Sequence, residues 1–546
     1  MSDTRHDVLI MGGGLAGLCL ALQLQQRFPG IAVRVLERRA HPLPPAAHKV
    51  GESSVEIGAH YFDTVIGLRD HLEEKHIHKF GFRFFYSEGR EDLPAVTELG
   101  VRQVLPRVTY QLDRGILENH LGEEVRRRGM DFLDGAVVRG VDIASGEDDH
   151  SVRYEHDGES HVARARWVID AAGRANILKR KFDLAEPNGH DANSVWFRID
   201  DKLEIDQWCN DERWRLECTP PERWRSTNHL CGPGYWVWLI PLGSGAHSVG
   251  IVCDAKMHPL ETMNTFEKAM DWLKKFQPLV FRECDSRRDK LLDFKFLRGF
   301  SHGCKQVFSG DRWAITGEAG VFLDPFYSPG SDFIGMSNSY VCALIEHDRK
   351  GDPVGPYAKI YQQLYFSFYE STLTLYRDQY ALFGDAEIMS TKVIWDYSYY
   401  WGVLCQIVFQ GRLTDLRLFA DLKAELESVR ELNIQMQAFF RRWLAVNPPL
   451  NPATFLDQGE LPWFVELNSR LHEPLDDAQV RERIRGYIQM LRNLAAGIVA
   501  QAQADCPGLA GLPGTGDAAA TPQLFELAAC APAGLTRPQP QRSMRA

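Results

Sequence analysis

The chain has 546 residues, 44% of them hydrophobic, and a formal net charge of −11. That length buries a large core, enough for two closely joined domains with appendages. The acidic balance argues against nucleic acid as the main partner, which needs a basic face, and no apolar run of about 18 residues marks a membrane span.

The N-terminus runs directly into a strand and lacks the basic, apolar, small-residue order of an export signal. Eleven scattered cysteines without a C-x-x-C pair read as the reduced thiols of a cytoplasmic enzyme. Asp7 to Ile10 is a short apolar strand, and Gly12-x-Gly14-x-x-Gly17 is the turn into a helix, Leu18 to Arg27. Glycines there let the backbone approach a pyrophosphate, which sits on the free N–H groups of Leu15, Ala16 and Gly17 at the helix start. A second strand, Val33 to Leu36, ends in Glu37 and Arg38. A carboxylate about twenty residues past the loop accepts a ribose 2′-hydroxyl, so the site takes adenosine without a 2′-phosphate, as in FAD or NAD.

Gly51-Glu52-Ser53-Ser54 reads as a helix start with a capping serine. Along Lys79 to Tyr86, period two places Lys79, Gly81, Arg83 and Phe85 on one face of a strand, with Phe80, Phe82, Phe84 and Tyr86 on the other. Trp167 to Arg174 and Asp311 to Gly320 are further apolar strands ending in glycine turns, the second followed by Asp324-Pro325. Val195 to Asp254 reads as strands of another sheet, and Leu260 to Phe276 as an amphipathic helix. From Asn338 the pattern turns helical, with segments at Pro356–Phe383, Ala386–Phe409, Leu416–Leu444 and Asp477–Ala504 that are rich in tyrosine and tryptophan.

Two features point to one family. The three separated glycine turns, with Tyr110-Gln111-Leu112-Asp113-Arg114 between them, resemble the FAD-dependent aromatic hydroxylases and halogenases. Trp236-x-Trp238-x-Ile240-Pro241 resembles the W-x-W-x-I-P signature of FAD-dependent halogenases, the tryptophan halogenase-like branch of the flavin monooxygenases. The resemblance implies an α/β fold: a three-layer Rossmann-like FAD-binding domain with an interleaved substrate-side β-sheet and an α-helical C-terminal part. The corresponding division is residues 1–340 with the inserted sheet at about 60–110 and 190–300, a substrate-capping helical region at 341–505, and a disordered tail at 506–546.

It further implies FAD held by Gly12, Gly14, Leu15, Ala16, Gly17, Glu37, Arg38, Ser53, Arg114, Gly317, Glu318 and Gly330, with Trp236, Trp238, Ile240 and Pro241 at the flavin edge. Reduced FAD, oxygen and halide then yield hypohalous acid, relayed to Lys79 as the catalytic amine. No D-G element follows the third strand, so a separate flavin reductase supplies FADH2. The substrate is an electron-rich ring, small or tethered to a carrier protein, in secondary metabolism. Two departures stand out. Tyr327 occupies the place of a glutamate in tryptophan-type members, and Pro329 removes one N–H from the expected halide segment, leaving Ser328, Gly330 and Ser331. The alternative is an FAD-dependent monooxygenase or dehydrogenase without halide chemistry.

Overall fold

The computed structural model describes residues 5–44, 51–447 and 451–512. Val8 to Met11 are fully buried, the unbroken apolar run of a strand covered on both faces. This strand, Arg5–Met11, is central to a seven-stranded sheet. It pairs in parallel with Val33–Glu37 on one side and Glu159–Asp170 on the other. The long strand Glu159–Asp170 changes neighbours midway. Its first half pairs with His150–His156 of an antiparallel hairpin, and Val168 to Asp170 pair in parallel with Trp313–Ile315.

That register explains why three distant glycine turns act together. Met11 lies opposite Asp170, which lies opposite Ile315, so the turns at Gly12, Gly173 and Gly317 leave the sheet side by side at its carboxyl edge. In open parallel sheets this edge is where ligands bind. The first helix begins at Leu15, three residues before the expected start, because Gly14 takes the cap position with extended backbone.

The second sheet has eight strands, in the order Leu291–Leu297, Ala192–Ile199, His247–Asp254, Tyr235–Pro241, Thr227–Gly232, Phe82–Phe85, Glu98–Gly100 and Phe455–Asp457. Alternation along Tyr235–Pro241 divides two cores. Trp236, Trp238 and Ile240 join the large core shared with the first sheet and the C-terminal helices, while Tyr235, Val237 and Leu239 face a smaller core. Residues of Phe266–Phe276 and Pro278–Asp285 complete that smaller core. The amphipathic helix starts at Phe266, later than expected from Leu260, because the Thr265 hydroxyl accepts the Lys268 N–H and sets the cap.

The strand expected from Lys79 to Tyr86 is interrupted. Gly81 has φ +78°, and only Phe82–Phe85 joins the large sheet, so the period-two assignment fails for Lys79. The helix expected at Gly51-Glu52-Ser53-Ser54 begins instead at Glu56, with Val55 as its cap and no side-chain capping bond. Ser53 pairs as an isolated bridge with Gln111.

In the C-terminal part, Gly330–Lys350 and Val354–Leu373 are long helices. The segment expected as Pro356–Phe383 ends early and resumes as a tight turn at Tyr380–Gly384. Ala386 to Phe409 is helical throughout but widens to a π-helix over Tyr400–Cys405. Leu416–Leu444 divides at Leu422, and Asp477–Asp505 is one helix closed by a capping box at Asp476 and Gln479. The expected tail is partly corrected: Cys506, Leu509 and Leu512 pack into the large core, and residues 513–546 lie outside the described residues. No helix among the described residues is long and apolar enough to cross a membrane.

Trp238 stands opposite Gly250 on the neighbouring strand, and a Cβ on Gly250 would come within 2.2 Å of the indole. Gly250→Ala therefore overpacks the strand pair and lowers the unfolding free energy by about 1–3 kcal/mol. Urea denaturation followed by tryptophan fluorescence measures it; parental stability would mean that the indole shifts freely.

Candidate active site

The first helix presents its open N-terminus to the crevice, with no side-chain cap and no acidic residue in its first turn. Unsatisfied N–H groups and the helix dipole there favour a phosphate. The glycines are required by close approach: a Cβ on Gly12 would meet the Ala171 carbonyl at 2.3 Å, and one on Gly17 the Gly12 carbonyl at 2.0 Å. Glu37 is fixed by the N–H groups of Gly13 (2.7 Å) and Arg39 (2.8 Å), at the strand end where a ribose would lie. Arg38 beside it is exposed. The turn at Gly317 packs on the first turn of the helix, where a Cβ would be 2.8 Å from the Ala16 side chain. Glu318 pairs with Arg174 at 2.5 Å. Arg114 opens the helix Arg114–Arg127, capped by Asp113, and pairs with Glu118 at 2.5 Å while reaching toward the Gly51 carbonyl. These donors and this cradle fit a dinucleotide with adenosine at Glu37 and pyrophosphate on the helix.

The signature strand carries Trp236 and Trp238, both buried, with ring centroids 5.7 Å apart. The Trp238 indole N–H donates to Ser248 Oγ at 3.1 Å. Trp236 donates to the Tyr380 hydroxyl at 3.1 Å, Tyr380 in turn donates to the buried Asp324 carboxylate, and His190 bonds the same oxygen at 2.7 Å. This chain holds the indole plane against Phe326. Ile240 is buried on the same strand, and Pro241 closes it opposite His247.

Lys79 is only 2% exposed. Its Nζ donates to Ser53 Oγ (2.9 Å) and the Ser54 carbonyl (3.1 Å) and lies 3.3 Å from the centre of the Phe82 ring. The chain break at Gly81 thus swings the amine to the Phe82 side, opposite to the alternating pattern. Ser53, expected at the cofactor, accepts from this lysine and shares a hydrogen bond with Thr227. Burial drives the Lys79 ammonium well below the usual lysine value, and the nearby Glu56 and Asp332 carboxylates oppose that fall. Desolvation of this kind disfavours the charged form of the amine.

The segment expected to hold halide opens a helix. Ser328 is left-handed (φ +51°), and Pro329 occupies the cap of Gly330–Lys350, where a missing N–H costs nothing. The helical ladder starts with the Phe333 N–H on the Pro329 carbonyl, so Gly330 and Ser331 present their amides at the open end. Gly330 is exposed, and the buried Ser331 Oγ has no hydrogen-bond partner. Asp332 in the same turn accepts from the Gly58 N–H (2.8 Å) and the Tyr400 hydroxyl (2.7 Å). Burial raises its carboxyl to about 8. Tyr327 donates to Asp396 Oδ2 at 2.8 Å, and Asp396 pairs with the buried Lys392.

Sequence reasoning missed Glu56, Asp332, Asp396 and His190, and read Tyr380 only as one of the aromatic residues capping a substrate pocket. Glu56 had a signal, a carboxylate just after the serine pair. The other four are joined to the site only by tertiary packing.

The family model of the FAD binding domain matches residues 5–268. Together with the cradle, that match defines the chain as an FAD-binding flavoprotein. A flavin-dependent halogenase of Dictyostelium discoideum, chlA, is 26% identical over 432 residues, covering 73% of this chain and 70% of the relative. A brominase of 1H-pyrrole-2-carbonyl on a peptidyl-carrier protein, from Pseudoalteromonas luteoviolacea, is 24% identical over 335 residues, covering 60% and 74%. Tetracycline 7-halogenase of Kitasatospora aureofaciens is 24% identical over 357 residues, covering 60% and 61%. Among solved structures, halogenase PltM superposes with TM-score 0.62 at 17% identity, covering 92% of this chain and 97% of that one. The chain is similar to FAD-dependent halogenases and is an FAD-dependent enzyme of the oxidoreductase type.

Glu37→Ala removes the acceptor of the Gly13 N–H and of the ribose. Two charge-assisted bonds at about 1.5–3 kcal/mol together weaken FAD roughly 10–100-fold. Quenching of flavin fluorescence on titration measures this; unchanged affinity would place the adenosine elsewhere.

Proposed function

We propose that the protein halogenates an electron-rich aromatic substrate, using reduced FAD, oxygen and a halide, through hypohalous acid relayed to Lys79. The observation that carries this reading is the buried Lys79 amine, turned away from solvent and held by Ser53 and Ser54. Bound FADH2 supplies, with oxygen, the oxidising equivalent that converts halide to hypohalous acid. The chain's own residues do the rest. Amides of Gly330 and Ser331 at the helix start, with the Ser328 hydroxyl beside them, bind the halide. Trp236 and Trp238 wall the crevice opposite the glycine turns. Lys79 holds the oxidised halogen, and the aromatic C-terminal helices cap the substrate side.

FAD arrives reduced from a separate flavin reductase. The substrate is a phenol, pyrrole or comparable ring of secondary metabolism, free or on a carrier protein. Two relatives of this chain bear on that range by name, one acting on a carrier-bound pyrrole and one on tetracycline. Turnover is assigned to the cytoplasm, where a reductase is at hand.

With a flavin reductase, oxygen, bromide and phloroglucinol as the probe ring, product mass shows replacement of hydrogen by bromine. A gain of one oxygen without halogen would instead establish a monooxygenase. Lys79→Ala lowers bromination by roughly 10²–10⁴-fold with FAD affinity unchanged; parental turnover would remove the lysine from the pathway.

Halide binding beside Asp332 carries a pH dependence. The acid is neutral below about 8 and becomes an anion above it, so repulsion of the halide sets in as pH rises. The KM for bromide is therefore low below that value and climbs through it in the parent, whereas Asp332→Asn flattens the profile. A rise of equal size in both proteins would assign the pH dependence to another group.

A further inference from the structure

The Lys79 amine borders a small enclosed space, and the ring most open to that space belongs to the protein itself. The cavity has a volume of about 30 Å³, and its lining includes Lys79, Phe82, Tyr397 and Trp401. One water needs roughly 10–15 Å³ of such volume, whereas pockets for small molecules hold about 300–1,000 Å³. The space beside the amine therefore takes a species of two or three atoms and no further ring. Three of its lining residues are aromatic. Phe82 is 4% exposed and carries no group that feeds electrons into its ring. Trp401 is 1% exposed, its indole N–H is taken by Glu56, and its ring packs on Phe464 at 4.6 Å. Tyr397 is the one of the three that is half-buried. It stands one ring away from the lysine: the amine lies 3.3 Å from the centre of Phe82, and the Phe82 and Tyr397 centres are 6.0 Å apart. Its hydroxyl activates the two neighbouring ring carbons toward an electrophile, as in any phenol.

We propose that Tyr397 is a modification site: in turnover without substrate, the oxidised halogen held at Lys79 passes to the Tyr397 ring, beside its hydroxyl. The proposal rests on the halogenase reading above. The ring carbon attacks the halogen of hypohalous acid, HO–X. The C–X bond forms and the O–X bond breaks, its electron pair leaving with oxygen as hydroxide. That hydroxide takes the proton from the same ring carbon, so hypohalous acid and tyrosine become halotyrosine and water. The ring is oxidised and the halogen reduced, with no other oxidant consumed. Burial pushes the Tyr397 phenol well above its usual value, so it reacts as the neutral phenol. A substrate phenol that ionises more readily reacts faster, which confines the modification to idle turnover. In a close-packed interior a halogen atom on this ring fills the space beside the amine, and the modified enzyme loses its activity.

The test uses the full-length FAD-loaded protein with flavin reductase, oxygen and bromide, and no aromatic substrate. Monochlorodimedone in the solvent consumes hypobromous acid that escapes, and peptide mass spectrometry reads the bromine isotope doublet site by site. Expected is bromine on Tyr397 at roughly tenfold or more the level on any exposed tyrosine, because halogen and ring share one enclosure. Turnover of phloroglucinol, assayed afterwards, falls in step with the label, and phloroglucinol present from the start prevents both. Tyr397→Phe, measured against its own starting turnover, outlasts the parent in the same idle incubation; equal decay overturns Tyr397 as the cause. A parent that brominates phloroglucinol yet leaves Tyr397 unlabelled after idle turnover overturns the proposal and spares the halogenase reading. So does a label that vanishes with monochlorodimedone, the halogen then having returned from outside, or oxygen on Trp401 in place of bromine on Tyr397. If the parent consumes reduced FAD and brominates neither phloroglucinol, monochlorodimedone nor itself, the halogenase reading fails and this proposal with it.

Discussion

Everything in this protein depends on the register of three parallel strands. Met11, Asp170 and Ile315 stand abreast, so each strand delivers its glycine turn to the same edge. Hydrogen bonding makes this arrangement rigid: the Ala171 N–H meets the Met11 carbonyl and the Thr316 N–H meets the Asp170 carbonyl. A slip of one residue would reverse the faces of the strands and separate the turns. The position of the crevice is thus a property of backbone pairing, on which side chains such as Glu37 are then placed.

The opposite wall works by a different principle. Polar and charged groups are buried there at considerable desolvation cost, and they are offset by one another. Trp236 is tethered through Tyr380 to Asp324 and His190, while Arg198 lies between Glu52 and Asp293. Glu98 is shared by Arg83 and Arg223 beneath the sheet. Buried ion-pair networks of this kind fix positions more than they add stability. Lys79 differs because its amine is held by the Ser53 hydroxyl and the Ser54 carbonyl rather than by direct pairing with a carboxylate.

The readable parts of the fold were those set by local chemistry. A glycine turn between an apolar strand and a helix, an acid at the next strand end and two tryptophans at alternate positions all carry their meaning within a few residues. Boundaries failed where a cap or a single dihedral decided. Thr265 delayed one helix, Val55 displaced another, and Gly81 turned Lys79 to the other face. Lys79 and Ser53, both singled out from the sequence, lie together, the lysine amine donating to the Ser53 hydroxyl. Asp396 behind Tyr327 and Asp332 beside Tyr400 arise from helices meeting across long stretches of chain, and no short pattern encodes that meeting. Pro329 supplies no N–H, and its place as the cap of the helix that follows was not legible from the sequence.

The short strand Phe455–Asp457 adds to the edge of the large sheet beside Glu98–Gly100, and the segment that follows carries Asn468 to Glu56. The C-terminal third is therefore stitched into the reaction chamber rather than resting upon it. Exchanging helical regions between relatives to change substrate range would sever a strand pairing and unseat a buried carboxylate together, so grafts need to carry this edge strand and its asparagine as one piece.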